Sequence, residues 1–239
     1  MPFLDLPERV REVRERIDGA LRRGGHAQHV TVVAVTKTHG LDALQAAWDA
    51  GLQDVGENRV QEALEKMDAL QAPVSFRWHL IGHLQRNKVK HLPRFDLLHS
   101  LDRSSLADAV DREGRETGRA FDAFVQVNIV GEETKGGYSV STLPAEAARL
   151  ATMRGLRVRG VMTMAPFGAS ESVLRTVFSG ARACRDVLRS AGHAEATELS
   201  MGMSDDFEIA VEEGATCVRL GTVLFGAREQ RQRVAEGAA

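Results

Sequence analysis

Eight short β-rich runs, each followed by an amphipathic helical pattern, succeed one another along this chain, and that alternation most restricts what it can fold into. The spacing predicts strands at Val30–Thr36, Asp54–Val55, Phe76–Ile81, Leu97–Leu101, Phe121–Ile129, Val158–Met164, Glu198–Met201 and Cys217–Leu220. Helices are expected at Leu41–Ala50, Arg59–Leu70, Gln85–His91, Ser104–Thr117, Pro144–Met153, Ser170–Ser190 and Asp205–Glu213, with a closing helical turn from Thr222 to Ala227. Ser104 is a natural N-cap, and Pro144 suits a first turn. A further charged helix, Glu8–Arg23, stands in front of the first strand with Val10, Val13, Ile17 and Leu21 on one stripe. The first run is β-branched almost throughout and lacks polar alternation, so it reads as a parallel strand buried on both faces. Closing such strands into a barrel removes both sheet edges, and eight evenly spaced units favour closure over an open doubly wound sheet. The expected architecture is α/β: a single (β/α)8 barrel with an extra N-terminal helix. No proline- or glycine-rich linker divides the chain, so residues 1–239 are expected to form one domain. The one long loop, residues 131–139, follows the fifth strand and reads as a mobile rim segment.

Composition narrows the function. A chain of 239 residues with 43% hydrophobic content can bury a full core. Its 31 basic and 33 acidic residues leave a formal charge of -2, which gives no pull toward nucleic acid or anionic lipid. Cys184 and Cys217 are too few for a disulfide framework or a zinc cluster and fit a reducing compartment as small core residues. The first seven residues lack the basic and apolar regions of a signal peptide, and no uncharged stretch approaches membrane-spanning length. A soluble cytoplasmic protein is expected.

Barrels place their chemistry at the carboxyl ends of the strands. Those ends carry Lys37; Gly56, Glu57 and Asn58; His79 to His83; Ser100; Asn128; Met162 to Met164; Ser200 to Ser204; and Arg219 to Thr222. Partial desolvation at a strand end disfavours the Lys37 ammonium and leaves an amine able to attack a carbonyl, although a lysine snorkelling into water has the same sequence. The last two groups look like an anion site. Small residues let backbone N–H groups approach, hydroxyls add donors, the following helices begin there, and barrels commonly bind phosphate after strands seven and eight. Tight turns alone would use the same residues. Arg219, between Val218 and Leu220, is either a buried cation in need of a partner or a surface arginine. Asn58 either donates to a ligand oxygen or caps the helix at Arg59.

Other candidates fail. His79 and His83 have the spacing of two zinc ligands on a helix, but Leu80 stands where a metalloprotease needs glutamate, and the pair lies across a strand end. They read as structural or ligand-packing residues, and no metal site is expected. Phosphate-loop, dinucleotide-binding and nucleophile-elbow motifs are all missing from the sequence. Arg86, Lys88 and Lys90 read as a solvated face, and Met162 and Met164 as core.

Taken together, these segments resemble a family. Val33-Ala34-Val35-Thr36-Lys37-Thr38, Val55-Gly56-Glu57-Asn58-Arg59-Val60-Gln61-Glu62 and the run from Trp78 to Lys88 all resemble the pyridoxal phosphate homeostasis proteins. So do His99-Ser100-Leu101-Asp102, Gly160-Val161-Met162-Thr163-Met164, the run Leu199 to Asp206, and Arg219-Leu220-Gly221-Thr222. The blocks keep the family's order from about residue 30 to residue 228, while the loop at Glu133 to Tyr138 and the N-terminal helix match more loosely. The family is similar to the isolated barrel domain of alanine racemase. The resemblance implies pyridoxal 5'-phosphate bound as an aldimine on Lys37, with Ser200, Gly221 and Thr222 holding the phosphate together with the backbone near Met201. It also implies Arg219 facing the pyridine nitrogen and Asn58 beside the oxygen-bearing edge of the ring.

Two functions from different classes fit: a cofactor-binding protein that stores or delivers pyridoxal phosphate, and an amino-acid racemase. Racemisation needs proton donors on both faces of the substrate carbanion. In alanine racemase one of them is a tyrosine from a second domain, for which this chain has no room. The only tyrosine, Tyr138, lies in the long loop and matches no catalytic position. A permanent cation opposite the pyridine nitrogen also leaves the ring a weak electron sink. The carrier reading is therefore preferred: no turnover is expected, the partners are the cofactor, amino acids and transiently apo-enzymes, and nothing demands more than a monomer.

Overall fold

The computed structural model describes residues 3–132 and 135–226. Eight parallel strands close on themselves: β1 (Thr31–Val35), β2 (Asp54–Glu57), β3 (Arg77–Leu80), β4 (Leu97–Leu101), β5 (Phe121–Asn128), β7 (Leu156–Met162), β8 (Glu198–Ser200) and β9 (Cys217–Leu220). β1 pairs with β2 on one side and with β9 on the other, and β4 meets β5, which completes the ring. The chain thus has the expected (β/α)8 barrel. A two-residue strand, β6 (Tyr138–Ser139), lies outside the ring and pairs with the end of β5, Val127 against Tyr138.

Helices α2 (Leu41–Asp49), α3 (Val60–Ala69), α4 (Ser104–Thr117), α5 (Leu143–Leu150), α6 (Glu171–Ser190), α7 (Phe207–Glu212) and α8 (Thr222–Phe225) follow the strands. The extra helix α1 (Leu6–Gly24) buries Val10, Val13, Ile17 and Ala20 and packs on α7, where Arg16 reaches Glu208 at 2.6 Å. Alternation along each strand sorts side chains into two layers. Ala34, Val55, Leu80, Leu98, Val161, Leu199, Val218 and Leu220 join the main apolar core with the helices, whereas Leu97, Phe124 and Met162 form a separate small cluster. On β1 the residues that share a face with Val33 and Val35 include Lys37, just past the strand end, which aims it at the barrel mouth.

Four expectations change. The segment after β3 is a 3₁₀ helix, Arg86–Arg94, because Pro93 lacks the N–H and crowds the carbonyl that an α-helix would need. Ser104 is the first helical residue of α4 rather than its cap, and its hydroxyl donates to Glu146 at 3.1 Å. The rim loop is held at its described ends. The Asn128 side chain accepts from Gly131 and Glu132 N–H and donates to the carbonyls of Glu132 and Lys135, and Tyr138 is buried. α7 begins at Phe207, two residues later than expected, after a turn at residues 204–206. Ala227, the expected end of the closing helical turn, lies outside the described residues, as do Glu133 and Thr134 of the loop.

Candidate functional site

A cavity of about 700 Å³ opens at the carboxyl ends of the strands, within the usual size of a small-molecule site. Lys37, Asn58, Arg219, Gly221 and Thr222 all line it, so five residues singled out in the sequence meet in one place. Lys37 is half-buried in the turn that ends β1. Asn58 faces the cavity and does not cap α3, which begins at Val60 after Arg59. Arg219 is inward and buried, 5% exposed, with Nη1 donating to Ser200 Oγ at 2.6 Å and Nη2 to the Thr163 carbonyl at 3.0 Å. Among the described residues it has no carboxylate within ion-pair distance. Burial pulls its guanidinium below the ordinary arginine value, while Cys217 and Asp206 pull the other way. A buried cation held only by neutral oxygens favours an electron-rich or anionic ligand beside it.

Ser200 and Met201, expected among the phosphate-holding residues, do not line the cavity. Both are fully buried, and the Ser200 hydroxyl is taken up by Arg219 and by His99 Nδ1 at 2.9 Å. The reason is local: Ser200 ends β8 facing the barrel interior, and the chain reaches the cavity only after Gly202. That glycine has φ +92°, and a Cβ there would come within 2.7 Å of the Ala210 Cβ. The hydroxyl that does line the cavity in this segment is Ser204, whose oxygen accepts from Val223 N–H at 3.2 Å and so ties the turn after β8 to α8. Gly221 and Thr222 open α8, where first-turn N–H groups have no helical partner. α7 and α8 span six and four residues, too short to bring the helix dipole expected of them.

The histidines divide. His83 lines the cavity and binds Asp102 through Nδ1 at 2.8 Å. His79 is buried in β3 between Asp54 and His99. No cluster of metal-ligating side chains occurs among the described residues. Tyr138 is buried with its hydroxyl donating to Glu146 at 2.9 Å, and burial followed by that carboxylate pushes its pKa far up. Both cysteines are buried, with burial raising Cys184 to about 11 and Cys217 to about 12. The exposed ring of Phe167 and the Met164 side chain complete the apolar part of the wall.

Sequence reasoning missed the group that braces the Lys37 turn. Lys66 Nζ, on α3, donates to Glu57 Oε1 at 2.6 Å, to the Thr36 carbonyl at 2.9 Å and to Glu62 Oε1 at 2.9 Å. Glu62 also accepts from Thr38 N–H at 2.6 Å, and Thr38 has φ +69°, a strained value for a β-branched residue. Lys66 falls on the buried stripe of α3 with Val60 and Ala63, but a lysine in such a stripe ordinarily snorkels its ammonium to water, so the sequence offered no signal beyond its spacing of four from Glu62.

The family model described as the alanine racemase N-terminal domain matches residues 12–229. A pyridoxal phosphate homeostasis protein of Aquifex aeolicus is 40% identical over 93% of this chain and 98% of its own length. Its namesake in Escherichia coli is 34% identical over 96% of this chain and 99% of its own length. Among solved structures, PipY of Synechococcus elongatus with pyridoxal phosphate bound superposes with a TM-score of 0.82 at 36% identity, over 92% of this chain and all of that one. Alanine racemase of Corynebacterium glutamicum, at 14% identity and a TM-score of 0.70, shares the fold, and this chain covers 63% of it.

Proposed function

Because the chain belongs to the pyridoxal phosphate homeostasis proteins, we propose that it binds pyridoxal 5'-phosphate in the barrel mouth and serves in the supply of that cofactor rather than in catalysis. The observation that carries this reading is the meeting of Lys37, the buried Arg219, the Ser204 hydroxyl after β8 and the Gly221–Thr222 turn after β9 on the wall of one cavity. That donor set suits the molecule. The amine matches an aldehyde, the hydroxyl and free N–H groups match a phosphate, and the buried cation matches a heteroaromatic nitrogen. When bound, the cofactor supplies an aldehyde that combines reversibly with primary amines.

In this reading Lys37 provides the attachment amine. Ser204, Gly221 and Thr222 orient the phosphate, and Asn58 binds the oxygen-bearing edge of the ring. Arg219 keeps the pyridine nitrogen free of a proton, because a permanent cation beside it opposes protonation. Reversible attachment suits delivery, since an incoming amine can displace Lys37. The receivers are free amino acids and apo-enzymes, and the working unit is a monomer in the cytoplasm. No described helix is long and apolar enough to cross a membrane.

The racemase alternative is weaker. Tyr138, the only tyrosine, has its hydroxyl committed to Glu146 and is poorly disposed to act as a base. The loaded protein should therefore restore activity to an apo-enzyme on mixing. It should racemise, decarboxylate or transaminate amino acids no faster than free pyridoxal phosphate does. Turnover far above the free-cofactor rate that disappears in Lys37→Ala would favour the racemase.

A further inference from the structure

A continuous hydrogen-bonded line crosses the barrel interior beneath the cavity. It starts at Arg219, whose Nη1 donates to Ser200 Oγ at 2.6 Å. Ser200 Oγ meets His99 Nδ1 at 2.9 Å, His99 Nε2 meets His79 Nδ1 at 2.8 Å, and His79 Nε2 meets Asp54 Oδ1 at 2.8 Å. Arg219, Ser200, His99 and His79 are all at most 5% exposed. Asp54 opens β2, so the line runs from the cavity to the opposite end of the barrel, where Asp54 also faces the Arg77 guanidinium at 3.4 Å.

With Asp54 ionised and both rings neutral, one proton arrangement satisfies every contact. Asp54 can only accept, so His79 carries its proton on Nε2 and accepts at Nδ1. His99 must then donate from Nε2 and accept at Nδ1. Ser200 gives its hydroxyl proton to His99 and receives one from Arg219. Every N–H and O–H along the line therefore points from Arg219 toward Asp54. Burial first, then His79 and the Arg219 cation, hold His99 well below the ordinary imidazole pKa, in keeping with a neutral ring. His99 is further fixed by edge-on packing against Phe124, ring centroids 4.8 Å apart.

We propose that Ser200, His99, His79 and Asp54 are positioning residues, a proton-ordered chain that fixes the Arg219 guanidinium at the cavity floor, so that the Ser200 hydroxyl serves Arg219 and not the phosphate. The proposal rests on the cofactor reading above, but its first test does not need cofactor. Nitrogen NMR of the imidazoles in the cofactor-free protein should find both His99 and His79 protonated on Nε2 alone. A proton on His99 Nδ1 would reverse the line and overturn the proposal.

The second test compares pyridoxal phosphate with phosphate-free pyridoxal. In Ser200→Ala and in His99→Gln, affinity for both compounds should fall by a common factor, about ten- to a hundredfold, as is usual when a group that orients a ligand-holding residue is lost. The visible absorption of the bound cofactor should shift in both variants. Loss confined to pyridoxal phosphate in Ser200→Ala would make Ser200 a phosphate ligand and overturn the proposal, as would an unchanged spectrum and affinity in His99→Gln. Should either variant fail to fold by circular dichroism, the wild-type NMR result decides. Failure of the wild type to bind pyridoxal phosphate at all would sink the functional reading and leave the tautomer test standing.

Discussion

Lys37 and Arg219 both reach the cavity wall from the ends of neighbouring strands but differ in burial, Lys37 being half-buried in a turn and Arg219 only 5% exposed. Lys37 ends an unbroken apolar run on the same strand face as Val33 and Val35, which marks its position but fits a lysine snorkelling into water equally well. Arg219 left two orientations open, and burial decides for the inward one. Ser200 and Ser204 show where residue-level reading stops. Ser200 ends β8 and Ser204 follows it, and which hydroxyl reaches the cavity depends on the left-handed turn at Gly202, which no periodicity encodes. The consequence is measurable. Charge-assisted hydrogen bonds to phosphate contribute about 1.5–3 kcal/mol each. Ser204→Ala combined with Thr222→Val should therefore weaken pyridoxal phosphate about ten- to a thousandfold, allowing for imperfect additivity, and leave phosphate-free pyridoxal nearly unaffected. Equal affinity of wild type and double variant for pyridoxal phosphate, by titration of its absorbance, would place the phosphate elsewhere.

Between elements, a buried ion pair and a carboxylate shared between α5 and β6 hold the mouth in shape. Lys66 on α3 locks Glu57 of β2 to the turn after β1, and Glu57 Oε2 already has no partner. Burial raises the Glu57 pKa against the opposing pull of Lys66 and Thr36. Lys66→Met would leave that carboxylate uncompensated, so denaturant unfolding should show a loss of about 3–5 kcal/mol. The double variant that also carries Glu57→Leu should regain much of it. A loss below about 1 kcal/mol in the single variant would show that the pair contributes little.

Glu146 fastens the rim by accepting from the Tyr138 hydroxyl at 2.9 Å. Burial pushes Glu146 up, but the Arg149 guanidinium and the Tyr138 hydroxyl outweigh it and hold the carboxyl below the ordinary glutamate value. A folded-state pKa lowered in this way gives stability that is present above the ordinary carboxylate range and lost as pH falls through the lowered value. Thermal unfolding should accordingly be less pH-dependent in Glu146→Gln than in wild type at acid pH. An identical pH dependence would detach Glu146 from the rim's stability. Neither cluster was legible beforehand: Lys66 and Glu146 lie on the buried stripes of α3 and α5, but their partners on other elements, Glu57 and Tyr138, come beside them only through the tertiary fold. The 3₁₀ helix after β3 differs for another reason: the residues up to His91 carry a helical pattern, and Pro93, which withholds a backbone N–H, lies just beyond it.

At the scale of the whole molecule the closed barrel was readable, since eight β-rich runs with evenly spaced helices leave few other ways to hide both edges of a parallel sheet. β6 was not, because two residues carry no periodicity, and its pairing depends on the end of β5 being free to accept it. Closure gives the site its character, bringing β1 beside β9 and so Lys37 to the same mouth as Arg219, although 182 positions separate them in sequence. The central claim is that this mouth carries pyridoxal phosphate on Lys37. The direct measurement is to mix the protein with one equivalent of pyridoxal phosphate, reduce it with borohydride, and map the label by peptide mass analysis. The account predicts a single label on Lys37 and none in Lys37→Ala; a label on Lys66, Lys88 or Lys135 with Lys37 unmodified would contradict it.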